Sequence, residues 1–189
     1  QMALMEQLKD KSVYRHYQCV VAGDQASLRR HQRILSKIER RTGVPAEIIV
    51  SIWARESGYG RVKMPKNAIR SLATLSFMGN RKLLFRRELI AALTIADKGH
   101  VAPENMGSSW AGALGQPQFL PSKFFDYAVD EDGDGRRDIW NSIPDTLGSI
   151  GNYLSKHGWK RGRDWGFEVD VPLQVSCTLG GPDSGRKIL

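Results

Sequence analysis

Glu56 has the setting in this sequence that most favours chemistry. Ile49, Ile52, Trp53 and Glu56 recur at i, i+3, i+4 and i+7, which places them on one helix face. A carboxylate that extends an apolar stripe is costly to bury ionised, so desolvation predicts a raised pKa. A carboxylic acid held protonated near neutral pH can protonate a leaving oxygen. The position also fits a structural ion pair with Arg55, Arg61 or Arg70, or a surface site just past the stripe. Ser57-Gly58-Tyr59-Gly60 follows, and small residues let a long substrate approach the backbone.

Most glycoside-cleaving sites pair two carboxylates. No second acid shares a comparably apolar setting. Glu88 and Asp97 fall on a charged helix, and Glu104 in a polar loop. The spacing therefore favours a one-carboxylate reaction in which the substrate supplies its own nucleophile.

Asp130-Glu-Asp-Gly-Asp-Gly-Arg-Arg-Asp-Ile-Trp-Asn141 opens like an EF-hand calcium loop. Asp130, Asp132 and Asp134 take positions 1, 3 and 5, and Gly135 takes the turn. Arg136 offers a carbonyl at position 7, Asp138 stands at 9, and Asn141 replaces the usual bidentate Glu. All the candidate ligands are hard oxygens, which selects a structural Ca2+ with no part in chemistry. The same residues also read as a solvated acidic turn. In the Gly107–Pro121 segment, Gln116 and Gln118 could bond an acetamido group and Ser109 a hydroxyl. The four histidines have no ligand spacing, and no nucleophile-elbow, phosphate-loop or dinucleotide motif occurs.

The elements that must position these groups read as mainly helical. Helices are expected from Ser27 to Arg41, from Pro45 to the Ser57-Gly58 stop, over 67–75, over 81–98, over 121–128, and from Pro144 to Gly158. The 81–98 helix is expected to turn Leu84, Phe85, Leu89, Ala92, Leu93 and Ala96 inward. No strand pair is expected.

At 189 residues the chain is one domain's worth. Its net charge is +8 and its pI about 9.7, which attracts polyanions. Lys and Arg are scattered and not arranged as a stripe interleaved with aromatics, so no nucleic-acid partner is expected. No apolar run is long enough to span a bilayer, and Gln1–Met5 does not read as a secretory signal. Cys19 and Cys177 could pair in an oxidising compartment or stay as two buried thiols.

Several segments together are similar to the membrane-bound lytic murein transglycosylase B family. They are Val44–Gly60, Ser71–Leu75, Trp110–Ser122, Tyr127–Trp140 and Asn152–Trp159, in the family's order. The resemblance runs from about residue 34 to 172. It implies a lysozyme-like (goose-type) α domain over 27–172 that cuts the β-1,4 bond between N-acetylmuramic acid and N-acetylglucosamine. Glu56 would be the lone acid/base, and the product a 1,6-anhydromuramyl end. Ser109, Gln118, Tyr153 and Arg81 match the family's subsites, and the family's metal loop falls on Asp130 to Asn141. Peptidoglycan strands are the implied partner of a monomer in the periplasm, with an outer-membrane anchor in the full precursor and association with cell-wall or secretion machinery. Residues 1–26 fall outside the resemblance. The 173–189 tail stops short of a family segment that adds aromatic and Asn groups to the cleft, so a more open cleft is expected. Two other readings keep the same cleft: a hydrolytic muramidase using Glu56 with water, and a weakly active peptidoglycan-binding module.

Overall fold

The computed structural model describes residues 25–163. The expectations for Cys19, Cys177 and the 173–189 tail lie outside the described residues. Helix α1, Gln32–Thr42, buries Leu35 and Ile38 and stops at Gly43, whose φ of 76° lets its N–H bond back to Glu39. Residues 25–30 are also helical, but His31 leaves helical geometry at φ −110°, ψ 16°. The single helix expected from Ser27 is thus divided, although the His31 and Leu35 N–H groups still bond one turn back.

Pro45 is extended and caps helix α2, Ala46–Ser57, one residue before its expected place. Helix α2 buries Ile49, Val50 and Trp53. These meet Leu35 and Ile38 of α1 and Leu147 and Ile150 of the last described helix, Ile143–Lys156, in one apolar core. Ser142 caps that last helix by accepting the Asp145 N–H.

A second core lies under the hairpin of α3, Ala68–Met78, and α4, Lys82–Asp97. Asn67 caps α3 through the Arg70 N–H. The packed face of α4 runs through Phe85, Glu88, Ala92 and Ile95. Leu84 and Leu93, expected inside, each sit one residue, or about 100° of helix, off that face and are exposed. Glu88, expected on a charged face, is buried instead. Its two oxygens accept the N–H and O–H of Ser122, both at 2.8 Å, at the first turn of α5, Pro121–Tyr127. Helix α6 is Ile143–Lys156.

Strands β1, Lys66–Asn67, and β2, Gly107–Ser108, pair antiparallel, and Leu114 bridges to both Ser108 and Phe119. Two-residue strands carry no alternation, which is why the sequence predicts none. Helix α6 approaches α1 through small residues. A Cβ on Gly151 would stand 2.6 Å from Ile38 Cγ2. Gly151→Val should therefore lower unfolding stability by about 1–3 kcal/mol through overpacking. Urea denaturation measures this, and an unchanged midpoint would show that α1 and α6 are not so closely packed.

Candidate active site

Helix α2 delivers Glu56 in its last turn to a cleft of about 520 Å³. The other walls come from the Pro117–Leu120 loop, from Lys123 and Tyr127 of α5, and from Ile150, Tyr153 and His157 at the end of α6. Glu56, Gln118 and Tyr153, three of the residues singled out in the sequence, converge here. Glu56 is the sole carboxylate among the lining residues. It is exposed, not desolvated as the apolar stripe predicts. Ile49 and Trp53 of the stripe do enter the core, while Glu56 lies one turn further, where α2 meets the cleft. No ion pair joins it to Arg55, Arg61 or Arg70 among the described residues. Arg61 instead lies over the Tyr59 ring at 5.6 Å.

Gln118 has φ 56°, a left-handed conformation rare outside glycine. Its side-chain amide donates to the Gly115 carbonyl at 2.9 Å. Backbone strain of this kind persists where the surroundings fix it, commonly beside a functional cleft. Tyr153 stacks against His157 at 4.1 Å and meets Tyr127 at 4.9 Å and Phe119 at 5.5 Å. The result is an aromatic wall facing the Glu56 side.

Phe119, Tyr127, Lys123 and His157 were not singled out in the sequence. Lys123–Tyr127 and Tyr153–His157 are both i, i+4 pairs, a spacing that puts each pair on one helix face and would have signalled a shared wall.

Three other candidates lie elsewhere. Gln116 is buried; its Oε1 accepts the Trp53 indole N–H at 2.6 Å, and its Nε2 donates to the Trp140 carbonyl at 2.8 Å. Its amide therefore holds the site together from behind. Gly60, read as room for substrate, has a different use: a Cβ there would come 2.5 Å from Gln116 Oε1. Ser109 accepts the Ala113 N–H within its own loop and does not line the cleft. Arg81 is exposed at the start of α4, beside Asn80, Lys82, Leu83 and Leu84.

The acidic loop winds around Asp145, which is buried. Its Oδ1 accepts the N–H of Glu131 at 2.7 Å and of Asp132 at 3.4 Å, and its Oδ2 that of Asp138 at 2.8 Å. Desolvation raises the Asp145 pKa, with Asp132 adding to it, and the three N–H donors oppose. At Asp130, desolvation also pushes upward, but the N–H groups of Gly135, Gly133 and Asp134 outweigh it and the pKa falls below its ordinary value.

Carboxylate oxygens of Asp130, Asp132 and Asp145 lie within 4.8 Å of one another. That group contains Asp145, which the loop pattern does not include. Asp134 pairs with Arg136 at 3.2 Å, and Asp138 accepts the N–H groups of Trp140 and Asn141. Beside the loop, Glu131 is buried between Lys37, at 3.0 Å, and Arg41.

The fold is that of the lytic transglycosylases. SltB3 from Pseudomonas aeruginosa, solved in complex with NAG-NAM-pentapeptide, superposes with a TM-score of 0.79 at 47% identity, over 85% of this chain and 43% of that one. SltB3 in complex with NAG-anhNAM-pentapeptide gives 0.79 at 42%, over 95% and 50%. The Escherichia coli lytic transglycosylase Slt35 in complex with calcium gives 0.73 at 33%, over 86% and 54%. Membrane-bound lytic murein transglycosylase B of Escherichia coli strain K12 is 43% identical over 121 residues, 64% of this chain and 33% of its own. The chain thus spans a third of that curated relative and about half of the solved ones. It belongs to the Transglycosylase SLT domain family, which matches residues 10–188.

Asp145→Asn keeps the shape but turns an NH2 toward one of the backbone N–H groups. Stability should fall by about 1–3 kcal/mol with calcium chelated, read from urea unfolding. No loss would mean that Asp145 does not organise the loop.

Proposed function

We propose that this domain cleaves the β-1,4 bond between N-acetylmuramic acid and N-acetylglucosamine in peptidoglycan and leaves a 1,6-anhydromuramyl end. The observation that carries this reading is the single carboxylate, Glu56, in a cleft walled by aromatics and one amide. Glu56 protonates the glycosidic oxygen as its bond to the muramyl C1 breaks. The muramyl N-acetyl oxygen stabilises C1. The Glu56 carboxylate then takes the proton of the C6 hydroxyl as O6 bonds to C1. Water is not consumed, so no second carboxylate is needed to activate it. A glycan filling the cleft would itself cover the exposed carboxylate and exclude solvent from it. Gln118, Tyr153 and Tyr127 line the cleft, and in this reading Gln118 would bond an acetamido group while the two tyrosines stack on a sugar ring. Ser109 and Arg81 would meet the glycan only where it runs beyond this cleft. SltB3, with a NAG-anhNAM-pentapeptide complex, supports the anhydro product.

The Asp130–Asn141 loop suits a structural Ca2+, since Asp130, Asp132 and Asp145 gather hard oxygens. The metal would hold the loop and take no part in the reaction. A peptidoglycan substrate would set the domain in the periplasm, and similarity to a membrane-bound transglycosylase supports a place beside the membrane.

Glu56→Gln should lower release of anhydro-muropeptides from sacculi by roughly 10²–10⁴-fold, followed by mass spectrometry. Equal release by variant and parent would refute the catalytic role, and reducing ends that carry added water would assign a hydrolytic muramidase instead. Calcium at about 100 times its Kd should stabilise the fold by about 2.7 kcal/mol, seen as a higher melting midpoint. An unmoved midpoint at millimolar calcium removes the metal from this loop.

A further inference from the structure

Most of the exposed large apolar side chains among the described residues lie on one hairpin, with Val62, Trp110 and Leu120 elsewhere. Phe77, Met78 and Leu83, at 79%, 75% and 79% exposure, cap the turn between α3 and α4. Ile90 follows Leu83 by seven residues on the outer face of α4 and is also exposed. Large apolar groups left in water at the tip of one supersecondary unit mark a contact surface.

The charges around them have one sign. Arg81, Lys82, Arg86 and Arg87 are exposed between and beside the apolar groups, and Arg70 lies on α3. None of the five forms an ion pair among the described residues. The acids of α3 and α4 do not offset them: Glu88 is buried on Ser122, and Asp97 is at the far end of α4. An apolar tip ringed by guanidinium and ammonium groups with no ion-pair partner among the described residues complements a surface with an anionic face and an apolar interior. A glycan offers no apolar interior. A second copy would set the same cations against each other.

We propose that the α3–α4 hairpin tip docks on an anionic lipid bilayer. Phe77, Met78 and Leu83 enter the boundary between headgroups and acyl chains, and Lys82, Arg86 and Arg87 bind the phosphates. The long basic stems lie along the apolar groups while their heads stay at headgroup level. This contact is separate from Glu56 and its cleft, and vesicle binding does not require turnover, so it stands or falls independently of the proposed activity.

Co-sedimentation with phosphatidylcholine vesicles containing about a third phosphatidylglycerol, at about 0.1 M salt, tests it. The parent should bind these vesicles and not pure phosphatidylcholine. The doubles Phe77→Ser/Leu83→Ser and Arg86→Ser/Arg87→Ser should each bind at least about tenfold more weakly. All four side chains are exposed, so both doubles should keep the parent's melting midpoint. Lys160→Ser/Arg163→Ser, which removes equal charge elsewhere, should bind like the parent. The proposal is overturned if the parent fails to bind, or if the apolar double binds as well as the parent. It is overturned equally if the Lys160/Arg163 control weakens as much as the Arg86/Arg87 pair, which would leave only adsorption of a basic protein. Sedimentation velocity without lipid that shows a dimer lost in the apolar double would assign the tip to a second copy instead.

Discussion

The Gln116 amide is the joint on which the site depends. One side of it receives the Trp53 indole from α2, and the other donates to Trp140 at the end of the acidic loop. Trp140 in turn donates to the Gly107 carbonyl in β2. Three segments distant in sequence are thereby fixed to one another: the helix carrying Glu56, the loop carrying Gln118, and the acidic turn. Each bond is buried or nearly so, and a buried amide left unpaired is expensive. The joint therefore admits little freedom in where Glu56 stands relative to Gln118.

Two cores flank this joint. One gathers α1, α2 and α6, and the other gathers α3, α4, α5 and the loop residues Met106, Leu114, Phe119 and Ile139. The cleft draws on both, with Ile52 and Ile150 from the first side and Phe119, Tyr127 and Tyr153 packed against the second. A site between two packed units gains rigid walls without needing a rigid loop of its own. The acidic turn braces the same region through Asp145 within and the Glu131 pairs with Lys37 and Arg41 outside.

Much of this was legible in the sequence because it follows from local rules. The helix-face spacing that led to Glu56 also put Trp53 in the core, and Gly43 and Gly58 stop their helices in left-handed geometry as stop signals should. The helices expected from residue 67 and from Pro144 form within two residues of those starts, with Asn67 and Ser142 as their caps. What was not legible depends on long-range partners. Gln116 and Gln118 are chemically the same and two residues apart, yet one is buried in a joint and the other faces the cleft. Nothing local separates them, because the difference lies in Trp53 and Trp140. Glu56 likewise reads as a desolvated acid from its stripe, but helix periodicity is blind to the cleft opening at the end of α2. Leu84 and Leu93 read as core because a leucine one position off the packed face is indistinguishable by type from one on it.

Glu88 shows what buried acidity means in this fold. It is enclosed on α4, yet its work is to fasten the first turn of α5, the helix that presents Lys123 and Tyr127 to the cleft. Replacing it would slacken one wall of the cleft without removing any group that lines it. A survey of the acidic residues by burial alone would then pick Glu88 over Glu56 and mistake an anchor for a group of the cleft.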